Sequence, residues 1–571
     1  MQPVRNSWAG CFFFDNYNYG IRMKRLVLLF IVFTSITSAQ TKKYVINENI
    51  PHLKKQGNAT QLIVNGKPFL MLAGETGNSS ASNLKYMANI WSKIVKMHLN
   101  TLVVPVYWEL IEPNKGEFDF VLVDSIITTA RQYNIKLVFL WFGSWKNSMS
   151  CYVPLWIKTD QGRFPRAREE NGKAEEILTA FDKTNRNTDA KAFATLMKHI
   201  SEFDEKEQTV VMIQVENEIG MIPDARDYCN SANEFFKAAV PEEFINYLKE
   251  NKNKLTPHLY EMWEKNGFKT EGNWEEIFGQ SLQTDEIFMA WYYAKYSNYV
   301  AEAGKKEYPL PMYVNAALIR PGYKPGQYPS AGPLPHLFDI WKAAAPEIDF
   351  LSPDIYFPSF VEWSTKYDIP TNGQTNYDNP LFIPEVGNNQ SITNAFYAFA
   401  QLNAMGYSPF SIESLTDPGN NQLAKGYEVL TQLMPLILTN QSKGTMAGVL
   451  LDSASQVAKI KLGDYIFNFH HAYSWKYAPR TEGKNPRFGG MIIMVSPNEF
   501  YIAGRGLIIT FETDTDDNSL VGIGRIDEGI FIDGKWVAGR RMNGDQTHQG
   551  RHMDLPGNTF SIQKVRLYKY K

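Results

Sequence analysis

Eight short apolar runs separated by helical patterns, then a tail of strands broken by Gly, Asn and Asp, predict an α/β chain. The expected form is a (β/α)8 TIM barrel followed by a C-terminal antiparallel β-sandwich domain. Between about residues 60 and 415 the runs are continuous rather than alternating, as parallel strands covered on both faces require. Their span of roughly 350 residues suits a barrel with long loops. An open doubly wound sheet is the alternative, and no Gly-rich first turn supports it.

The elements follow in order. "QLIVNGKPFLMLAGE" holds the two-residue hairpin turn Asn65-Gly66 and then an apolar strand from Phe69 to Ala73. "TLVVPVYW" (101–108), "IKLVFLWFG" (135–143), "VVMIQV" (210–215) and "PMYVNA" (311–316) come next. "IDFLSPDIY" (348–356), "PLFIPE" (380–385) and "YSPFSIES" (407–414) complete the set. Helices fill most gaps. "DEIFMAWYYAKYSNYVAEAGK" carries Asp285 and Glu286 in its first turn, apolar Phe288, Trp291, Tyr292 and Tyr299, and Gly304 near its stop. Beyond about residue 440, "GTMAGVLLD", "QVAKIKLGDYIFNFHH" and "GGMIIMVSPNEFYIAGRGLIITFET" read as short strands and turns. The barrel is assigned to 45–439 and the β domain to 440–571, with the boundary near Thr439 to Gly444.

The N-terminus reads as a targeting signal. From Met23, "MKRLVLLFIVFTSITSAQ" has Lys24 and Arg25, an apolar run from Leu26 to Phe33, and small residues at Thr37, Ser38 and Ala39. A signal peptide over 23–39, cut after Ala39, is expected, with a periplasmic or secreted product. The run is too short to span a bilayer, and no Cys at the cut points to a lipid anchor. Residues 1–22, with Cys11, read as an upstream extension.

Composition narrows the function. A net charge of −2 provides no field that would draw the chain to nucleic acid or an anionic membrane. The mature chain keeps Cys151 and Cys229, expected as buried free thiols with a disulfide as the alternative. There is no CxxC, HExxH or Gly-rich phosphate loop, and His470 and His471 fall in a strand; neither metal nor cofactor is expected.

The active face of such a barrel lies at the C-terminal ends of its strands. Those ends supply Glu75, Trp108, Trp145, Asn217, Glu218, Asn315, Tyr356, Glu385 and Glu413. Carboxylates from two strands at one rim can face each other across a pocket. Glycosidic bond cleavage demands that arrangement: one carboxyl protonates the leaving oxygen while the other meets the anomeric carbon.

"QVENEIG" and, much later, "IPEVGN" resemble the β-galactosidases of glycoside hydrolase family 35, in the large clan of retaining barrel glycosidases. "YWELIEPNKGEFDF" resembles that family's Trp, Glu-Pro and Gly-x-Phe-Asp-Phe pattern. "GETGNSSAS" and "YPSAGPLPHLFDIWKAAAPEIDFLSPDIY" resemble its bacterial branch with a C-terminal β domain. The resemblance implies Glu218 as acid/base, Glu385 as nucleophile and Asn217 as a ligand of the sugar 2-hydroxyl. For a retaining enzyme the carboxyls should lie about 5–5.5 Å apart, Glu218 holding the proton while Glu385 is ionised.

Two departures stand out. Where the family has Ala-Glu-Trp after strand three, this chain has Gly143-Ser144-Trp145, and Pro105 replaces a common Tyr in strand two. The glycone pocket is therefore expected to be built differently.

Glu75, Trp145, Tyr356, Asn315 and Trp108 are further substrate-binding candidates, with packing as the alternative for the two tryptophans. Tyr356 is also a candidate donor to the nucleophile, with core packing as the alternative. Glu216 alternates with Glu218 and reads as a structural partner below the sugar. Glu112 also reads as structural, and Glu413 as a rim contact or the partner of a basic side chain. The expected function is a retaining exo-β-glycosidase, foremost a β-galactosidase acting on terminal galactosides of oligo- or polysaccharides. The alternatives are β-glucoside, β-fucoside or α-L-arabinoside as substrate, or a non-catalytic sugar-binding barrel. No partner protein is implied, and the oligomeric state is not legible.

Overall fold

The computed structural model describes residues 48–370, 375–387, 391–473, 486–514 and 519–571. The expected signal at 23–39, the extension at 1–22 and Cys11 lie outside the described residues.

The expected barrel forms. Its strands are β1 (Met71–Glu75), β2 (Thr101–Tyr107), β3 (Lys136–Lys146), β4 (Val210–Asn217), β5 (Met312–Ala317), β6 (Phe350–Ile355), β7 (Phe382–Val386) and β8 (Gly406–Pro409). All pair in parallel, and β8 closes onto β1 through Gly406 opposite Met71. Every residue of β2 and β4 is buried, which is why their sequences run apolar without alternation.

The helices that bear on the site are α1 (Lys183–Asp204), α2 (Leu282–Glu307), α3 (Phe338–Ala344), α4 (Thr393–Gln401) and α5 (Gln422–Asn440). Asp182 caps α1, its carboxylate accepting N–H groups from Thr184 and Asn185 at 2.7 and 3.1 Å. Ser281 caps α2, so that helix starts before the acidic pair that marked its first turn. Gly304 lies near the end of α2, as expected, three residues before Glu307. A Cβ there would lie 2.3 Å from the Phe193 ring of α1, so the glycine serves close helix packing.

Asn65 and Gly66 both take positive φ (50° and 70°), as a two-residue hairpin turn needs. This hairpin closes the N-terminal end of the barrel: the Asn65 N–H donates to Gln208 Oε1 at 2.6 Å, just before β4.

The eighth run forms a strand only to Pro409. Ser411 then takes φ 52° and a 3-10 turn covers Ile412–Ser414, so Glu413 sits on a turn. Likewise β2 ends at Tyr107, and Trp108 opens a short helix.

The C-terminal strands are β9 (Met446–Leu451), β10 (Val457–Leu462), β11 (Tyr465–His471), β12 (Phe488–Ser496), β13 (Glu499–Arg505), β14 (Leu507–Thr513), β15 (Leu520–Ile532), β16 (Lys535–Arg541), β17 (Met553–Leu555) and β18 (Ser561–Tyr570). They make two antiparallel sheets, β9-β12-β13-β18-β15-β16 and β10-β11-β14-β17. Ile492, Phe500 and Ile502 of the larger sheet meet Phe467, Phe469 and Ile509 of the smaller. Their neighbours Met491, Ile493, Tyr501 and Ala503 join the barrel core instead. The larger sheet is thus apolar on both faces, one set by the sandwich and the other by α4 and α5. Gly448 permits this approach, since a Cβ there would sit 2.7 Å from the Tyr397 Cα. Among the described residues no helix is long and apolar enough to cross a membrane.

Candidate active site

Glu218 follows the last residue of β4 with φ 45°, and Glu216 has φ 60°. Left-handed backbone at two non-glycine residues costs roughly 1–3 kcal/mol each and persists only where surroundings impose it. Here they do. The Glu218 N–H donates to Asn315 Oδ1 at 2.9 Å, and Ser148 Oγ donates to the Glu218 carbonyl at 2.7 Å. Asn315 Nδ2 in turn donates to Asp354 Oδ2 at 2.6 Å. Asp354 lies opposite Glu385 in the β6–β7 register. Glu218 and Glu385 therefore share one rim, linked through Asn315 and Asp354.

Glu385 is 4 % exposed. The Tyr356 hydroxyl donates to its Oε1. Glu385 Oε2, Glu75 Oε1 and Asn217 Nδ2 are buried and have no hydrogen-bond partner among the described residues. Lys146, at the end of β3, donates to Asn217 Oδ1 at 2.7 Å and is itself buried.

Charge is unbalanced. Lys146 is the cation that acts on Glu75 and Glu385, against the charges of Glu218 and the other carboxylates. Burial, then the Glu218 charge, pushes Glu385 up to about 7, while Lys146 and the Tyr356 hydrogen bond pull it down. Burial, and next the charge of Glu385, holds both Glu75 and Asp354 well above the usual carboxylate range. Glu385 therefore takes up its proton more readily than an ordinary glutamate. Sequence does not display how many buried carboxyls converge on it.

Glu216 is the structural partner expected. Its Oε2 accepts the Trp145 N–H at 2.9 Å on the α1 side of the strand. There Asp189 accepts from Trp141 Nε1, Ser144 Oγ and Tyr296 at 2.9, 2.5 and 3.0 Å. Glu413 accepts the Gly77 N–H at 2.9 Å and the Ser80 hydroxyl, so it pins the loop after β1, and its backbone carbonyl accepts from Lys93 Nζ at 3.2 Å. Glu112 is structural, accepting from Trp108 Nε1 and the Gly116 N–H, each at 2.8 Å.

Three substrate-binding expectations need correction. Trp108 is fully buried, with its indole N–H on Glu112 and its ring 6.0 Å from Trp141; it packs and offers no face to a sugar. Trp145 is fully buried too, edge-on to Tyr293 and Tyr296 at 5.4 and 4.6 Å. Asn315 is spent between Glu218 and Asp354 and positions them. Tyr356 lines a cavity beside Glu218, while Glu75 and Asn217 each hold a buried polar atom with no hydrogen-bond partner among the described residues.

Sequence reasoning missed Lys146 and Asp354. Lys146 was hidden because β3 runs beyond the apolar stretch that ended at Gly143. Asp354 lies inside "IDFLSPDIY", one residue before the strand ends at Ile355 and so behind the Tyr356 that closes the run. Cys151 and Cys229 are buried and unbridged.

Residues 52–303 match the family model Glyco_hydro_42, described as beta-galactosidase; the match includes Glu218 and stops short of Glu385. Residues 423–554 match a domain of unknown function, DUF5597. No curated protein matches the chain. Among solved structures, the beta-galactosidase from Bacillus circulans sp. alkalophilus is 11 % identical, with 87 % of this chain and 99 % of that chain covered and a TM-score of 0.47. The beta-galactosidase from Rahnella sp. R3 is 14 % identical, with 65 % and 57 % covered and a TM-score of 0.44. That from the psychrophilic Marinomonas ef1 is 12 % identical, with 66 % and 60 % covered and a TM-score of 0.42. The chain thus spans less than two thirds of the last two. The matching model is that of family 42, so the expected resemblance to family 35 is not confirmed. Residues 52–303 are thus similar to a beta-galactosidase family model.

Proposed function

We propose that the protein is a retaining exo-β-glycosidase, a β-galactosidase that releases terminal non-reducing β-D-galactose from oligo- or polysaccharides by double displacement. The observation that carries this reading is the placement of Glu218 and Glu385 on one rim, close enough that the charge of one raises the other. Glu385, once ionised, attacks the anomeric carbon while Glu218 gives its proton to the leaving oxygen. Glu218 then takes a proton from water, which displaces the sugar from Glu385. Glu75 Oε1 and Asn217 Nδ2 are unsatisfied buried atoms suited to sugar hydroxyls, and such atoms repay their desolvation when substrate arrives. A panel of aryl glycosides with galactose-type inhibitor controls tests the reading. The β-galactoside should be turned over fastest, with β-galactose as first product; preference for a β-glucoside, β-fucoside or α-L-arabinoside would change the glycone, and an inverted product would end the mechanism.

Because Glu385 must be ionised, kcat/KM should rise with pH through about 7. Lys146→Met removes the charge that pulls Glu385 down. The acidic limb should move upward by about one pH unit, leaving roughly tenfold less kcat/KM at pH 6. An unmoved limb would contradict the assigned role of Lys146.

The proposal includes export to the periplasm or medium. Native protein should begin at or near Gln40, which N-terminal sequencing checks; a start at Met1 or Met23 would contradict it.

A further inference from the structure

Glu216 and Asp189 are acids that the chemistry above leaves unused, both 0 % exposed. They meet beneath the rim. Glu216 comes from β4 and Asp189 from α1, and a hydrogen bond joins their carboxyls. Gly143 of β3 leaves room for the meeting. A Cβ there would lie 2.9 Å from Glu216 Oε1 and 2.4 Å from Trp141 Nε1, the indole that donates to Asp189 Oδ1.

Two carboxyls that touch in a buried space without a cation cannot both be ionised. Among the described residues no Lys, Arg or His pairs with either. The polar side chains that face them are the Trp141 indole and the Ser144 hydroxyl of β3 and the Tyr296 hydroxyl of α2. The supply of donors decides which carboxyl keeps the proton. Asp189 Oδ1 accepts from Trp141 at 2.9 Å, and Oδ2 accepts from Ser144 and Tyr296 at 2.5 and 3.0 Å. Glu216 Oε2 accepts the Trp145 N–H at 2.9 Å, but its Oε1 is buried and receives no donor among the described residues. Such an oxygen is satisfied when it carries the proton itself and gives it to Asp189. Burial, then the Asp189 charge, holds Glu216 well above the usual carboxylate range, in agreement.

The pair reaches the rim through the backbone. Glu216 takes φ 60°, Asn217 follows it, and Glu218 comes next at φ 45°. On the neighbouring strand Trp145, whose N–H Glu216 holds, is followed by Lys146, opposite Asn217 in the register. Fixing Glu216 against α1 therefore fixes where β4 releases Glu218 and where β3 delivers Lys146.

We infer that Glu216 keeps a proton throughout the working pH range and donates it to ionised Asp189, and that this acid–carboxylate pair is the positioning device for Glu218. The positioning half rests on the reading of Glu218 as acid/base; the place of the proton does not.

The test sets Glu216→Gln against Asp189→Asn. Gln offers an amide N–H where the acid offered O–H, and its carbonyl still accepts from Trp145. Its kcat/KM should stay within about twofold of wild type on every substrate. Asn turns an NH2 group toward donors that already point at residue 189. That variant should lose about tenfold or more in kcat on a galactosyl oligosaccharide, and about threefold or less on a dinitrophenyl galactoside, where general acid help matters least. A purely structural role would not produce that split. Tyr296→Phe, which removes one donor to Asp189, should give the same split more weakly, and it decides the matter if Asp189→Asn does not fold. Infrared difference spectra at about pH 8 with isotope-labelled glutamate locate the proton: the wild type should show a protonated-carboxyl C=O band that Glu216→Gln lacks. An impaired Glu216→Gln beside an active Asp189→Asn would put the proton on Asp189 and overturn the inference. Equal losses on both leaving groups, or a difference spectrum without the band, would also overturn it. A wild type that cleaves no glycoside would end the functional reading, while the infrared band would still decide where the proton sits.

Discussion

Glu385→Gln is expected to abolish turnover, lowering kcat by at least about 10⁴-fold, equivalent to about 5 kcal/mol of transition-state stabilisation. No covalent sugar should form. The same change should stabilise the fold at alkaline pH. A carboxyl raised from its usual 4.5 to about 7 favours the folded state only while protonated, so its contribution is full below about 4.5 and lost as pH rises through about 7. At pH 8 the wild type must keep a charge buried among Glu75, Glu218 and Asp354, whereas Gln carries none. Thermal unfolding at pH 8 should therefore occur roughly 2–3 °C higher in the variant, and the gap should close by pH 5. Equal melting temperatures at pH 8, or residual turnover above the stated loss, would contradict the role given to Glu385.

Glu218→Ala should behave differently. General acid help contributes about 10²–10⁴-fold and matters most when the leaving group is poor. Substrates with a dinitrophenolate leaving group should keep measurable glycosylation, while oligosaccharides lose about 10³-fold or more. Azide needs no general base, so it should rescue the second step and yield the β-glycosyl azide, because inversion at Glu385 has already occurred once. If Glu216→Gln reproduces this leaving-group pattern and Glu218→Ala does not, the two glutamates have been assigned the wrong way round. The structure argues against that exchange: Glu216 is committed to the Trp145 N–H beneath the site.

Much of this arrangement was legible because parallel strands write themselves as unbroken apolar runs. "VVMIQV" could only be a strand covered on both faces, and the polar residues after it had to lie at the rim. Glu218 and Glu385 follow from that rule without any coordinates. What failed was burial. Trp108 and Trp145 also end apolar runs, but a tryptophan's position in sequence says nothing about whether its ring faces a pocket or a helix. Both rings turned inward. Side-chain partners failed for a related reason: Asn315 and Lys146 are joined to Glu218 and Asn217 across strands far apart in the chain, and only the closed barrel brings them together. The convergence that raises Glu385 was invisible for the same cause. Gly304 shows the limit of local signals: it lies near the end of α2 as expected, but the Phe193 contact it makes possible was not legible.

The central claim is that Glu385 bonds to the sugar. It is tested most directly by reaction with a 2-deoxy-2-fluorogalactoside carrying a good leaving group, which forms the glycosyl-enzyme faster than the intermediate is hydrolysed. Proteolysis and mass spectrometry then locate the added sugar. The account predicts one equivalent per chain, on the peptide containing Glu385 and on that side chain. A label on Glu75, Glu218 or Asp354, or an active enzyme that accumulates no adduct and yields an inverted product, would contradict it.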